Sequence, residues 1–362
     1  MSFSAADHGY MARALQLAAR GLETTTPNPR VGCVLVREGQ VVGEGWHEKA
    51  GGPHAEVRAL AAAGALAKGA TAYVTLEPCS HQGRTPPCAE ALVAAGVARV
   101  VAAMEDPNPQ VAGGGMARLA AAGIATAAGL MTAEARELNP GFISRMTRGR
   151  PWVRLKAAAS LDGKTALRNG KSQWITGPEA RRDAHAWRAR SCAVLTGIGT
   201  VRDDNPRLTV RDVPCQRQPW RVVVDSRLEI SPEAAILAGG QVLVAHAEGA
   251  EEKRQRLAAL GVETVYLPDG RGKVDLPALM VELARRGCNE VLVEAGFRLN
   301  GALLREACVD ELLLYLAPML LGDAARGLFD LPELTDLSGR RELRIVDQRL
   351  VGRDLRLIGR LG

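Results

Sequence analysis

The sequence predicts an α/β protein built as two domains, and three observations predict it. The chain has 362 residues, more than one hydrophobic core organises comfortably. Helical and strand periodicities alternate along both halves. The alternation pauses at a basic stretch with a glycine and a closing proline, Arg145 to Pro151, and then starts again. Read as a linker, that stretch separates residues 1–147 from residues 148–362.

In the first half, Asp7 to Arg20 places Met11, Ala14, Leu15 and Ala18 on one helical face. Val31 to Val36 and Val41 to Gly45 read as strands, with Glu38-Gly39-Gln40 as the hairpin turn between them. A helix from about His54, a strand Ala72 to Leu76, a helix from about Cys88 and a strand Arg99 to Met104 follow. Another helix and strand run through Ile124 to Ala128, and a helix from Thr132 leads out. This order predicts a mixed sheet with helices on both faces. In the second half, Trp152 to Ala159, Ala193 to Thr196, Arg221 to Asp225, Gln241 to Ala245, Glu290 to Glu294 and Glu311 to Leu316 read as strands, with helical segments between most of them. Leu343 to Leu361 reads as an antiparallel hairpin turning near Val351-Gly352-Arg353. No internal repeat or low-complexity tract breaks the pattern.

Composition narrows the function classes. The chain is 47% apolar and 24% charged, an ordinary soluble balance. No uncharged apolar run reaches membrane-spanning length. Met1 to Arg20 lacks the basic start and apolar block of a secretory signal, so a cytoplasmic enzyme with no membrane partner is expected. The net charge of +6 is spread along the chain, and four Phe and four Tyr give little to build a stacking platform, so no nucleic-acid partner is expected. Seven cysteines in such a chain argue against a disulfide framework. Cys33, Cys192, Cys215, Cys288 and Cys308 stand singly and read as small buried apolar residues.

Cys79 and Cys88 read differently. Pro53-His54-Ala55-Glu56 is followed by Glu77-Pro78-Cys79 and then Cys88. One imidazole and two thiolates make three zinc ligands with a fourth position open, the arrangement of a catalytic zinc. Such a zinc lowers the pKa of a bound water toward neutrality. Glu56, two residues past His54, can face that water without ligating the metal, take its proton and return it to a leaving amine. His54 and Cys88 each fall at a helix start, where backbone amides favour negative charge, and Cys79 follows a strand end.

The spacing departs from the short zinc-deaminase signature, which has two residues between its cysteines. Here eight intervene, and Thr75 to Cys88 reads TLEPCSHQGRTPPC. That segment closely resembles the bacterial bifunctional riboflavin-biosynthesis deaminase/reductase family. So do Pro27-Asn28-Pro29-Arg30-Val31-Gly32-Cys33, Asp106-Pro107-Asn108-Pro109 and Asn139-Pro140-Gly141-Phe142. The resemblance covers nearly the whole chain. It implies a cytidine-deaminase-like N-terminal domain and a dihydrofolate-reductase-like C-terminal domain that binds NADPH. It also implies a substrate contact at Asn28. His81 reads as a further ligand or as a loop residue shaping the pocket, and Asn108 equally as a substrate contact or a turn residue.

The second half has no Gly-x-Gly-x-x-Gly turn after its first strand. Val293-Glu294-Ala295-Gly296-Phe297-Arg298-Leu299-Asn300-Gly301 is a strand, a turn and a helix start. It reads either as a pyrophosphate cradle or as a plain connection. Lys156 interrupts an apolar strand pattern, where a lysine needs a partner or a ligand, and it reads as a cofactor or substrate contact. Leu155-Lys156, Ser160 to Gly163, Ser172 to Thr176, Thr200 to Arg211 and Asp225-Ser226 resemble the reductase half of the same family. The resemblance implies cofactor contacts at Ala158, Trp174, Thr200, Asp204 and Ser226 and along Gly296, Phe297, Arg298, Leu299, Asn300, Gly301 and Ala302. It implies substrate contacts at Ser172, Arg188, Leu208, Arg211 and Glu294, the two arginines suiting a phosphate. Read without it, Arg188 and Arg211 are surface arginines and Asp204 is as much a turn residue as a polar site group.

The expected activity is therefore hydrolytic deamination of a phosphoribosylaminopyrimidine in the N-terminal half, with one zinc. NADPH-dependent reduction of its ribosyl group to ribityl follows in the C-terminal half. The family implies a homo-oligomer formed through the reductase half. Two other readings stand beside it: a nucleoside or tRNA deaminase with an unrelated C-terminal domain, and a non-catalytic zinc-stabilised binding protein.

Overall fold

The computed structural model describes residues 2–80, 87–109 and 111–362. The chain divides into two compact units, Met1–Gly149 and Arg150–Gly362. The stretch read as a linker is mostly helix. Arg145 to Arg148 complete the last helix of the first unit, Gly149 closes it in a left-handed conformation (φ 67°), and the next strand begins at Trp152. Basic side chains suit the last turn of a helix, where they face unpaired carbonyls, so their clustering marks a helix end here.

The first unit runs α1 (Ala5–Ala19), β1 (Gly32–Arg37), β2 (Gln40–Trp46), α2 (Ala55–Ala63), β3 (Thr71–Val74), α3 (Cys88–Ala94), β4 (Arg99–Ala102), α4 (Gly114–Ala121), β5 (Ala125–Ala128), α5 (Thr132–Leu138) and α6 (Pro140–Arg148). Its five strands lie in the order β2-β1-β3-β4-β5. β1 is antiparallel to both neighbours, while β3, β4 and β5 are parallel. Alternate residues feed two cores. Cys33, Leu35, Ala72, Val74 and Val100 face Ala55, Ala59 and Leu92 on one side, whereas Val34, Val36, Tyr73 and Val101 face Met11, Leu17 and Phe142 on the other. Helices therefore cover both faces of a mixed sheet. Gly43 and Gly45 let α2 lie directly on β2, since a Cβ at either would overlap the Ala59 or Ala55 carbonyl oxygen. That close approach fixes the start of α2, where His54 and Glu56 sit.

The second unit runs β6 (Trp152–Ser160), β7 (Lys164–Ala166), α7 (Pro178–Arg190), β8 (Ala193–Gly197), α8 (Ile198–Asp204), β9 (Trp220–Val224), β10 (Val242–His246), α9 (Glu251–Ala259), β11 (Glu263–Tyr266), α10 (Leu276–Arg285), β12 (Glu290–Val293), α11 (Phe297–Arg305), β13 (Glu311–Ala317), β14 (Arg326–Gly327), β15 (Leu343–Val351) and β16 (Asp354–Leu361). A nine-stranded sheet has the order β11-β10-β9-β8-β12-β6-β13-β16-β15. It is parallel from β11 to β13, and the C-terminal hairpin adds two antiparallel strands. α10 and α11 pack on one face of it, α7 and α9 on the other. The parallel strands deliver their carboxyl ends to one edge, where ligands of such sheets bind.

Cys33, Cys192, Cys288 and Cys308 are buried and outside any disulfide, as read from the sequence, but Cys215 is only half-buried, with its thiol on the Arg217 carbonyl at 2.9 Å. Nor is Cys192 merely apolar, because its sulfur accepts the Asn289 and Glu290 amides at 3.2 and 3.3 Å.

Candidate metal centre and cofactor cleft

His54 is the residue before α2, Cys88 opens α3, and Cys79 follows β3 by way of Glu77 and Pro78. Because α2 and α3 share one core, the two helix starts and the end of β3 converge. His54 Nδ1 lies 3.2 Å from Cys88 Sγ and 3.7 Å from Cys79 Sγ, and the three ligand atoms are all within 4.8 Å of one another. Tetrahedral zinc, with Zn–S of ~2.3 Å and Zn–N of ~2.0–2.1 Å, spaces such atoms by about 3.5–3.8 Å, so the donor set fits that ion. Among the described residues no other group of three His, Cys, Asp or Glu side chains could hold a metal.

The local electrostatics suit a cation. The hydrogen bond from the Cys88 thiol, joined by the His54 imidazole, draws the Cys79 thiol down to about 4. Cys88 is pushed the other way by the same hydrogen bond and by burial. The Cys88 N–H donates to Cys79 Sγ at 3.3 Å, using an amide that the start of α3 leaves without a helical partner. Glu56, in the first turn of α2, is buried against the Cys88 thiol, and burial pushes its carboxyl up to about 7.

Two residues of this centre escaped the sequence reading. His47, just past β2, is 2% exposed. Its Nε2 lies 3.0 Å from Asn28 Nδ2, its Nδ1 lies 3.1 Å from the Pro53 carbonyl, and its ring meets the His54 ring edge-on. A lone histidine at a strand end carries no spacing signal. Glu77 was read only as part of a motif. Its carboxylate accepts four backbone N–H groups, from Asp106 (3.0 Å), Gly113 (3.0 Å), Gly115 (2.8 Å) and Met116 (3.2 Å), and so ties the turn at Asp106 and the start of α4 to the cysteine segment. The Asn108 backbone follows Asp106 in a turn: its N–H donates to the Asp106 carboxylate at 2.8 Å and its carbonyl accepts from Val111 and Ala112. His81 lies outside the described residues.

In the second unit, Lys156, Arg188 and Glu294 come together. Both Glu294 oxygens face the Arg188 guanidinium (Nη2 to Oε2 3.0 Å), and Lys156 Nζ is 3.6 Å away. Burial would raise the Glu294 carboxyl, but the two cations outweigh it and hold it near about 2. Arg188 is therefore not a surface residue, and its fork is engaged by Glu294. Arg211 is exposed, with Nη1 3.4 Å from Thr209 Oγ1. Leu208, three residues before it, is buried at a positive φ of 51°.

Gly296 caps α11 without a side-chain hydrogen bond, which leaves the Phe297, Arg298 and Leu299 amides without helical partners. Thr200 faces this turn, since a Cβ on Gly296 would stand 3.6 Å from its Oγ1. Asn300 and Gly301, by contrast, turn inward. Asn300 Nδ2 reaches the Leu328 carbonyl at 3.5 Å, and a Cβ on Gly301 would overlap the Asp330 backbone. Leu299 and Ala302 pack on the core, whereas Arg298 is exposed. Ser226, beyond β9, accepts the Val274 N–H at 3.2 Å. Ala158 and Ser172 are half-buried, Asp204 is exposed at the end of α8, and Trp174 is exposed beneath the Arg181 guanidinium at 4.5 Å.

Comparisons with known proteins agree with this division. Residues 4–104 match the cytidine and deoxycytidylate deaminase zinc-binding region, and residues 151–357 match the RibD C-terminal domain. The riboflavin biosynthesis protein RibD of Escherichia coli is 52% identical, over 98% of this chain and 99% of that protein. Acinetobacter baumannii RibD superposes with a TM-score of 0.91 at 45% identity, covering 99% of each chain. A Thermotoga maritima diaminohydroxyphosphoribosylaminopyrimidine deaminase/5-amino-6-(5-phosphoribosylamino)uracil reductase superposes with a TM-score of 0.87 at 32% identity, again over 99% of each.

Proposed function

This chain belongs to the bifunctional deaminase/reductase family of riboflavin biosynthesis, and on that premise we propose how its residues divide the two reactions. It is a hydrolytic deaminase and a reductase on one polypeptide. The substrate is 2,5-diamino-6-(5-phosphoribosylamino)pyrimidin-4(3H)-one, and the ribosyl group of the deaminated product is reduced to ribityl. Likeness over both halves sets aside a nucleoside or tRNA deaminase with an unrelated C-terminal domain.

In the first unit, His54, Cys79 and Cys88 hold zinc. Bound there, zinc supplies the Lewis acidity that makes water a nucleophile near neutral pH. Glu56 takes the proton of the attacking water and returns it to the departing amine. Asn28, held by His47, orients the pyrimidine. In the second unit the nicotinamide cofactor is NADPH, which supplies the hydride. The α11 amides, Thr200 and Arg298 hold its pyrophosphate. Ser226, Ala158, Trp174 and Asp204 complete its contacts. Lys156 and Glu294 orient the ribosyl group with Ser172 and Leu208, Arg188 fixes Glu294, and Arg211 binds the phosphate.

The chain functions in the cytoplasm, and the described residues contain no helix long and apolar enough to cross a membrane. The reductase unit forms a homo-oligomer through β15. This strand is the open edge of the nine-stranded sheet and exposes Leu343, Ile345, Val346 and Leu350. An unpaired apolar edge of that length is a template for a second strand.

The observation that carries the reading is the convergence of His54, Cys79 and Cys88 beside the buried Glu56. The test follows ammonia release and NADPH oxidation in one reaction. Ammonia appears without NADPH, and oxidation starts only after it. Oxidation with a pyrimidine that still carries its amine would contradict the order.

A further inference from the structure

Leu208 to Asp212 belongs to no strand, yet side chains hold it as a sheet would. On one side the Gln218 amide pairs with Val210 as a neighbouring strand does: the Val210 N–H donates to Oε1 at 2.8 Å, and Nε2 donates to the Val210 carbonyl at 3.0 Å. On the other side stands α7. Arg188 Nη1 donates to the Thr209 carbonyl at 3.1 Å, and His185, on the same helical face, accepts the Arg211 N–H on Nδ1 at 3.3 Å. An accepting Nδ1 places the ring proton on Nε2, which points at Asp212 Oδ2 at 3.2 Å. His185 is 5% exposed.

We propose that His185 is a positioning residue of the reductase site, a neutral acceptor that fixes the backbone at Arg211 and so sets where that guanidinium meets the substrate phosphate. The proposal rests on the reading of Arg211 as the phosphate contact. Its surroundings favour the neutral ring. Burial draws the imidazole down, and Arg188 on α7 and Arg211 in the Leu208 to Asp212 segment act the same way against Asp212 and Glu294. A histidine serving only to fill space would be replaceable by phenylalanine. One serving as acceptor is replaceable by asparagine, whose Oδ1 stands near the place of Nδ1.

The test uses the full-length protein with His185→Phe, His185→Asn and Arg211→Met. Reductase kinetics on the deaminated phosphoribosylaminouracil are read, with the urea midpoint of the reductase unit as the control for folding. His185→Phe should raise the KM for the pyrimidine about tenfold, the factor of a lost hydrogen bond. It should leave kcat and the KM for NADPH within about twofold. His185→Asn should restore the KM to within about threefold of the parent. A His185→Phe enzyme with the parent KM, beside an Arg211→Met enzyme whose KM rises, overturns the positioning role alone. An Arg211→Met enzyme with the parent KM overturns the phosphate reading beneath it. If His185→Phe does not fold, His185→Asn decides, since a tenfold rise in its KM is incompatible with an acceptor role.

Discussion

Asn28 Nδ2 and His47 Nε2 are 3.0 Å apart, and the other His47 nitrogen is held by the carbonyl of Pro53, the residue before His54. The imidazole thus ties the loop that presents Asn28 to the loop that presents the metal ligand. Replacing His47 with Phe should lower kcat/KM for ammonia release by about 10–100-fold, the usual cost of losing a group that orients a metal site. Zinc content by metal analysis and reductase activity should not change.

Glu77 anchors both the turn at Asp106 and the start of α4. Glu77→Gln keeps the shape but removes the charge and turns an N–H toward amide donors. It should cost about 1–3 kcal/mol, read as a shift in the urea midpoint of the first unit.

Much of this was legible in the sequence, for physical reasons that differ by residue. The central strands of both sheets are buried on two faces, so Val31 to Val36 or Arg221 to Asp225 show as short apolar runs. The metal set is concentrated in three short motifs at element ends, where spacing is informative. β11 was missed because Glu263–Tyr266 is an edge strand with a polar, half-exposed pattern. The Glu294 pairing with Arg188 was missed because the two lie 106 residues apart and only the fold of the parallel sheet joins them. Basic residues at the end of α6 were read as a linker, since composition does not distinguish a helix end from a tether.

The buried cluster of Lys156, Arg188 and Glu294 predicts a pH dependence of stability. The Glu294 carboxyl is held near about 2 when folded, below the ~4.3 of an unfolded glutamate. Its stabilisation is therefore complete above the unfolded value and disappears as pH falls through the folded one. Glu294→Gln lacks it. Urea midpoints of the two proteins should differ most near neutrality and converge between about pH 4 and about pH 2, a change on the order of 3 kcal/mol.

The β15 edge predicts that association can be broken without touching either site. Ile345→Lys and Leu350→Lys place charge on a strand whose Leu350 is 73% exposed. Light scattering should show the parent as an oligomer and the double variant as a monomer that still releases ammonia.

In the proposed deamination Glu56 moves the proton at a zinc held by His54, Cys79 and Cys88. Glu56→Gln, with zinc counted per chain and ammonia release measured on the same sample, tests it most directly. The account predicts one zinc retained, ammonia release reduced by about 10²–10⁴-fold, and unchanged reduction of the deaminated pyrimidine. Ammonia release at the parent rate from the zinc-bound variant would contradict it.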